Sequence, residues 1–224
     1  MATIKHQAAR AAFGAAADVT LKYLNKDPEK REKSLLKIVD LTESFAKDRF
    51  KPESYEAAKA MIRDKDSKWM QYVNRIFDEV SPNVIKKTAM NLGFEAMLSG
   101  TKIMHEMREK YQCNIPWLLL IDPTSACNLH CTGCWAAEYG HTMSLTYDEL
   151  DSIITQGKEL GIHLYMYTGG EPLVRKADII KLCEKHNDCA FHAFTNGTLV
   201  DDAFCEEMDR VGNLSLSISL EGYE

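Results

Sequence analysis

No stretch of this 224-residue sequence stays apolar for the roughly 20 residues that a membrane-spanning helix requires. The nearest imitation of a leader runs from Ala11 to Ala17. It lacks the long leucine-rich core of a signal peptide, Arg10 interrupts it and Asp18 closes it, so it reads as helix. A surplus of positive charge is missing too. Lys and Arg number 27 against 33 Asp and Glu, for a net charge of −6. A nucleic-acid partner would ask for a basic face, so the expectation is no nucleic acid. No internal repeat or low-complexity tract is present. The seven cysteines form no even set. With no secretory signal, that odd number fits a reducing cytoplasm better than a disulfide framework.

What is present is ordinary in bulk. The apolar fraction is 45% and the charged fraction 27%, as in a globular protein, and the length suits one large domain or two small ones. Residues 1–80 read as short helices with polar breaks. Ala8 to Leu24 is alanine-rich. Pro28 opens a second helix with Leu35, Leu36 and Val39 on one face. Pro52 suits the first turn of a third, where its missing N–H is unpaired anyway. Asp64 to Ser67 breaks the pattern, and Trp69 to Phe77 resumes it. Ser81-Pro82 marks the start of a helix predicted to run to about Lys110. Along it Met90, Met97 and Met104 form one seven-residue row, and Gly93, Gly100 and Met107 another. The rows read as a packed helix whose glycines admit a close neighbour, with a methionine-rich partner surface as the alternative.

Near Gln112 to Pro116 the pattern changes, which places a boundary between a helical region, 1–112, and a second region, 113–224. Trp117 to Ile121 is a short apolar run suited to a strand buried on both faces. Thr146 to Glu149 is a capping-box start for a helix that continues to Gly161. Strands are then expected at Ile162–Thr168, Ala190–Phe194 and Leu214–Leu220, with helices at Ala177–His186 and Asp202–Val211. This rhythm predicts an α/β fold with a parallel sheet, whose ligands gather at the carboxyl ends of the strands. In the last strand Leu214, Leu216, Ile218 and Leu220 share one face and Ser215, Ser217 and Ser219 the other. The leucine face should meet the helices.

The densest chemistry follows the first predicted strand. Cys127, Cys131 and Cys134 are spaced C-x3-C-x2-C, and thiolates select zinc, copper(I) or iron–sulfur clusters. Three ligands leave a four-coordinate metal or a four-iron cluster one position short. A structural zinc site would complete itself with His130 or His141. Cys113, Cys183, Cys189 and Cys205 stand alone and read as packing. His163 and His192 read as packed or hydrogen-bonded within strands. Tyr139, Tyr165 and Tyr167 lie near the predicted site without a marked role.

The triad does not stand alone. Gly169-Gly170-Glu171-Pro172 ends the second predicted strand, Thr195-Asn196-Gly197 the third, and Ser217-Ile218-Ser219-Leu220-Glu221-Gly222 the fourth. In this order the four motifs resemble the core of radical S-adenosylmethionine (SAM) enzymes, over roughly residues 115–224. The resemblance implies a partial parallel (β/α) barrel of about four strands, preceded by an all-helical region. It implies that Cys127, Cys131 and Cys134 ligate a [4Fe–4S] cluster whose fourth iron takes SAM. By the same resemblance Gly169, Gly170 and Glu171 hold the methionine amino group, Thr195, Asn196, Ser217 and Ser219 contact the cofactor, and Glu221 has an open role. One departure is Gly133, where many members carry an aromatic residue; here the aromatic is Trp135. The implied reaction is reductive cleavage of SAM by an electron from a flavodoxin- or ferredoxin-like reductant. The resulting 5′-deoxyadenosyl radical takes hydrogen from a substrate, and the cysteine stretch loosely resembles members that mature peptides or cofactor precursors. The alternatives are a zinc- or cluster-bearing binding protein whose helical region docks a partner, and a scaffold that binds SAM without turnover. Because the family core has six strands, the natural protein is expected to be longer, or another chain to cover the last strand's edge.

Overall fold

The computed structural model describes residues 4–24, 28–45, 51–136, 140, 142–220 and 222. The chain forms two compact units, residues 11–86 and residues 1–10 with 87–224.

The helices begin where proline and polar residues predict. They are α1 (Ile4–Leu24), α2 (Pro28–Phe45), α3 (Pro52–Arg63) and α4 (Lys68–Glu79). Within residues 11–86 the guanidinium of Arg31 is buried. It donates to Asn74 Oδ1 at 2.8 Å and Asp78 Oδ1 at 2.6 Å, and lies 5.4 Å from the centre of the Phe77 ring. A buried cation persists only when paired in this way.

From Pro82 the chain is helical through Tyr111, as expected, but its middle is wound differently. Between α5 (Pro82–Thr88) and α6 (Thr101–Tyr111) lies a π-helical segment, Ala89–Gly100. Bonds from i to i+5 turn each residue less than an α-helix does, so a seven-residue row does not keep to one side. Met90 and Met104 are buried, while Met97 is 47% exposed. Of the two glycines in the row, Gly100 behaves as read. A Cβ on Gly100 would strike the carbonyl oxygen of Gly161, and one on Gly161 (φ +87°) would crowd Ile103 and Met104 at 3.0 Å. This glycine pair brings the helical run against the turn that precedes the second strand.

Four strands follow: β1 (Leu119–Ile121), β2 (Leu164–Tyr167), β3 (Ala190–Thr195) and β4 (Leu214–Ile218). They are parallel, in the order 1-2-3-4. This sequential order is that of a partial (β/α) barrel. β1, β2 and β4 are shorter than the apolar runs predict and β3 runs one residue longer, to Thr195, because pairing sets their ends. Between them lie α7 (Tyr147–Glu159), α8 (Lys176–Lys185) and α9 (Asp202–Val211). The capping box at Thr146 is complete: Glu149 N–H donates to its hydroxyl at 3.2 Å, and its own N–H donates to Glu149 Oε2 at 2.7 Å.

The period-2 alternation of the strands settles the two faces of the sheet. Tyr165, Tyr167, Phe191, Ala193 and Leu214 join Leu150, Ile154, Ile179 and Leu182 of the helices in one buried core. Gly157 leaves room for the Tyr165 hydroxyl, which donates to the carbonyls of Ile154 and Ile162 at 3.0 Å. Tyr165 and Tyr167 therefore belong to the helix-packed side. On the opposite face His192 lies between two serines of β4, 2.8 Å from Ser215 Oγ and 2.9 Å from Ser217 Oγ. Of the four isolated cysteines, Cys183 and Cys189 are buried, whereas Cys113 and Cys205 are exposed. Packing therefore does not explain that second pair. Among the described residues no helix is long and apolar enough to cross a membrane.

His163 is the imidazole that precedes β2, and it is buried. Burial pushes its pKa below the ordinary 6.5, against an upward pull from Asp188 and Glu95. A depressed folded-state value means that the neutral ring contributes stability above about pH 6.5, and that this contribution disappears as pH falls through the folded pKa. Unfolding free energy should therefore drop between about pH 7.5 and about pH 5.5. His163→Gln should flatten that slope; an unchanged slope in the variant would remove His163 from the account.

Candidate functional site

The carboxyl ends of the strands are joined by backbone hydrogen bonds. Thr168 N–H donates to Ile121 O at 3.0 Å, Gly170 N–H to Thr124 O at 3.0 Å and Glu171 N–H to Ala126 O at 2.8 Å. The loop after β2 thus lies against the segment leading into Cys127. Only glycine permits this approach. A Cβ on Gly170 would meet the carbonyl oxygens of Ala126 and Ser125, the latter at 2.6 Å. Gly169 holds φ +101° with Thr124 O and Asp122 Cβ within 3 Å of where its own Cβ would stand.

Cys127 and Cys134 are half-buried and Cys131 is exposed. All three border one cavity of about 120 Å³, together with Ser125, His130 and Gly170. Among the described residues no three His, Cys, Asp or Glu side chains are gathered tightly enough to cage a metal ion. Between the last two cysteines Gly133 takes φ +74°, and Cys134 N–H donates back to Cys131 O at 3.3 Å. This left-handed turn accounts for glycine where an aromatic residue was expected. The aromatic ring that follows, Trp135, is 58% exposed and borders a second, larger cavity. That cavity, about 440 Å³, is bounded by Asp122, Met143, Leu145, Gly169 and Gly170, and it shares Ser125, Ala136 and Gly170 with the first. His141, Tyr139 and Glu221 lie outside the described residues.

Glu171 does not present its carboxylate to either cavity's boundary. It is 1% exposed and its oxygens are taken by the protein. Oε1 accepts from Leu173 N–H at 2.9 Å and from the Thr195 hydroxyl at 2.7 Å, and Oε2 accepts from Asn196 N–H at 2.8 Å. The glutamate therefore ties the end of β2 to the end of β3, with Thr195 as one of its donors. Asn196 continues the link. Its amide nitrogen donates to Asn128 Oδ1 at 3.0 Å, while Asn128 Nδ2 donates to the Thr198 hydroxyl at 2.8 Å. Asn128 follows the first cysteine of the triad, so the TNG turn is fastened to the cysteine loop itself. Ser217 is occupied by His192, and Ser219 is exposed, its backbone N–H donating to Thr195 O at 2.9 Å. Sequence reasoning overlooked Asn128, Thr198 and Asp122. The only signal was position: Asn128 lies inside the cysteine motif, Thr198 adjoins the turn at Thr195–Gly197, and Asp122 follows the first predicted strand.

The family model for the radical SAM superfamily matches residues 121–224, which begin at the last residue of β1 and take in the cysteine loop, β2, β3 and β4 with the motif turns that follow them. These residues belong to the radical SAM superfamily. Among curated proteins, the chain is 31% identical to an AdoMet-dependent heme synthase of Methanosarcina barkeri over 113 residues, 49% of this chain and 32% of that protein. It is 34% identical to a GTP 3′,8-cyclase of Peptoclostridium acidaminophilum over 112 residues, 46% of this chain and 34% of that protein. The matches thus span about a third of the length of these radical SAM relatives. Among solved structures, Streptococcus suis SuiB bound to precursor peptide SuiA aligns with a TM-score of 0.44 and 20% identity, covering 81% of this chain and 38% of that one.

Proposed function

We propose that residues 113–224 are the front of a radical SAM catalytic core and that Cys127, Cys131 and Cys134 hold a [4Fe–4S] cluster. One observation carries this reading: the three thiols and the glycine backbone of the second motif border two adjoining cavities at one end of a parallel sheet. The donor set fits the group. Three soft thiols on a short loop leave one iron for a further ligand. Bound there, a cluster with SAM supplies one-electron, hydrogen-abstracting chemistry; the protein supplies binding, orientation and exclusion of water. For that task Gly169 and Gly170 bring bare backbone to the cavity wall, where a ligand's polar groups can reach it. Trp135, Met143 and Leu145 give the same cavity apolar walls. Glu171, Thr195, Asn196 and Asn128 act from behind as positioning residues that hold the cysteine loop. In this reading the electron comes from a flavodoxin- or ferredoxin-like protein, the compartment is the cytoplasm, and the substrate is a peptide or a cofactor precursor.

A second reading rests on His130, which borders the same cavity as the three cysteines. A Cys₃His zinc site would make the protein a binding module. Anaerobic loading with iron and sulfide, reduction and EPR with and without SAM separates the two. The expected result is a four-iron signal that SAM perturbs and that Cys131→Ala loses. A well-folded protein that takes up only zinc, or whose signal ignores SAM, overturns the enzyme reading.

A further inference from the structure

The larger cavity beside the cysteine loop, about 440 Å³, has one charged residue among the described residues of its wall, Asp122. Asp122 follows β1 directly and is exposed. Its side chain lies against the glycine turn after β2: a Cβ on Gly169 would stand 2.9 Å from Asp122 Cβ and 3.1 Å from its Cγ. Among the described residues its carboxylate forms no hydrogen bond or ion pair.

The other polar groups at this wall are engaged by the protein. Ser125 Oγ accepts from Met143 N–H at 3.0 Å, and Ser144 Oγ lies 2.6 Å from Thr124 Oγ1. Arg175, the cation that reaches the backbone here, donates to Leu145 O at 2.6 Å through Nη1 and gives Nε and Nη2 to Asp178 Oδ2 at 2.9 and 2.7 Å. No side-chain cation of the described wall is left for Asp122. Beside it Trp135 and Met143 border the same cavity with 58% and 56% of their surface exposed. One carboxylate among exposed apolar side chains repels an anion and suits a cation on an apolar body. The indole face adds to that preference, since it too attracts a cation.

We propose that the substrate of this protein is an organic cation, a protonated amine on an apolar or aromatic body. Asp122 holds the amine, and Trp135 and Met143 hold the body. The proposal rests on the reading of this cavity as part of the radical SAM site, and it adds the charge and polarity of what is bound there.

The test uses the full chain with 5-fluorotryptophan at its three tryptophans, the Trp135 signal being assigned by a Trp135→Phe variant. The probe is 2-phenylethylamine; 2-phenylethanol, which has the same outline without the charge, is the comparison. The amine should shift the Trp135 fluorine signal saturably, with an affinity about tenfold or more above that of the alcohol. Asp122→Asn keeps the outline of the side chain and should bring the amine down to the affinity of the alcohol, with the Trp69 and Trp117 signals unmoved as a check on the fold. Saturating SAM, added after anaerobic loading with iron and sulfide, should leave the amine bound. Equal affinities for amine and alcohol, no saturable shift with either, or undiminished amine binding by Asp122→Asn would mean that water alone meets the carboxylate. Displacement of the amine by SAM would mean that Asp122 serves the cofactor's own ammonium. Each of these results overturns the proposal. The comparison of amine with alcohol needs no iron, so its failure is distinct from a failure of the cluster reading, which the EPR spectrum reports.

Discussion

Replacing Glu171 with alanine should destabilise the protein by about 3–5 kcal/mol, a large part of the roughly 5–15 kcal/mol that holds a typical domain folded. The carboxylate is buried and accepts three hydrogen bonds, from Leu173 N–H, Asn196 N–H and the Thr195 hydroxyl. Alanine leaves all three donors without a partner and opens a void where the side chain was. Each orphaned donor costs about 1–3 kcal/mol. Glu171→Gln keeps the volume and one acceptor oxygen, but turns an NH₂ group toward donors, so its loss should be intermediate. Urea denaturation of the three proteins reads the difference directly. Had the glutamate served a ligand instead, Glu171→Ala would leave stability within about 0.5 kcal/mol of the parent and change only cofactor affinity. That pattern would refute the positioning role.

Gly170→Ala should damage the same region by a different route. The new methyl would meet two backbone carbonyl oxygens, those of Ala126 and Ser125, and backbone cannot swing away as a side chain can. Relief requires the loop after β2 to separate from the segment before Cys127, which breaks the bonds from Gly170 N–H to Thr124 O and from Glu171 N–H to Ala126 O. Overpacking of this kind costs about 1–3 kcal/mol. Because the displaced segment carries the first cysteine, the iron retained per chain after anaerobic loading should also fall several-fold, while far-ultraviolet circular dichroism stays close to that of the parent. Normal stability together with normal iron content would show that the close approach is not required.

Some of this could be read locally. The Thr146 capping box lies within four residues, and the strand of alternating Leu and Ser declares its own faces. The C-x3-C-x2-C spacing places three thiols on one loop whatever surrounds it. The packing of Gly170 against the carbonyls of Ser125 and Ala126 was not legible, since the sequence reading assigns that glycine to a ligand. Nor was the winding of the helical run. The row of Met90, Met97 and Met104 suggests one continuous stripe, but Met97, within the π-helical segment, is exposed while Met90 and Met104 are buried. Helix type depends on what the helix packs against, and the sequence row assumes a constant turn.

The sequence by itself determined the alternation of strands and helices, the parallel order of the sheet's elements and the clustering of the motifs at the strands' carboxyl ends. Each follows from periodicity and from turn residues within one segment. Only the tertiary structure decided what the polar residues of those motifs do. Glu171 finds donors 24 and 25 residues away, Asn196 reaches back 68 residues to Asn128, and Asn91 and Asn213 meet on the carbonyl of Cys189. A side chain's period and propensity are properties of its own neighbourhood in sequence. Its hydrogen-bond partner is set by strand register and loop path, which exist only once the chain has folded.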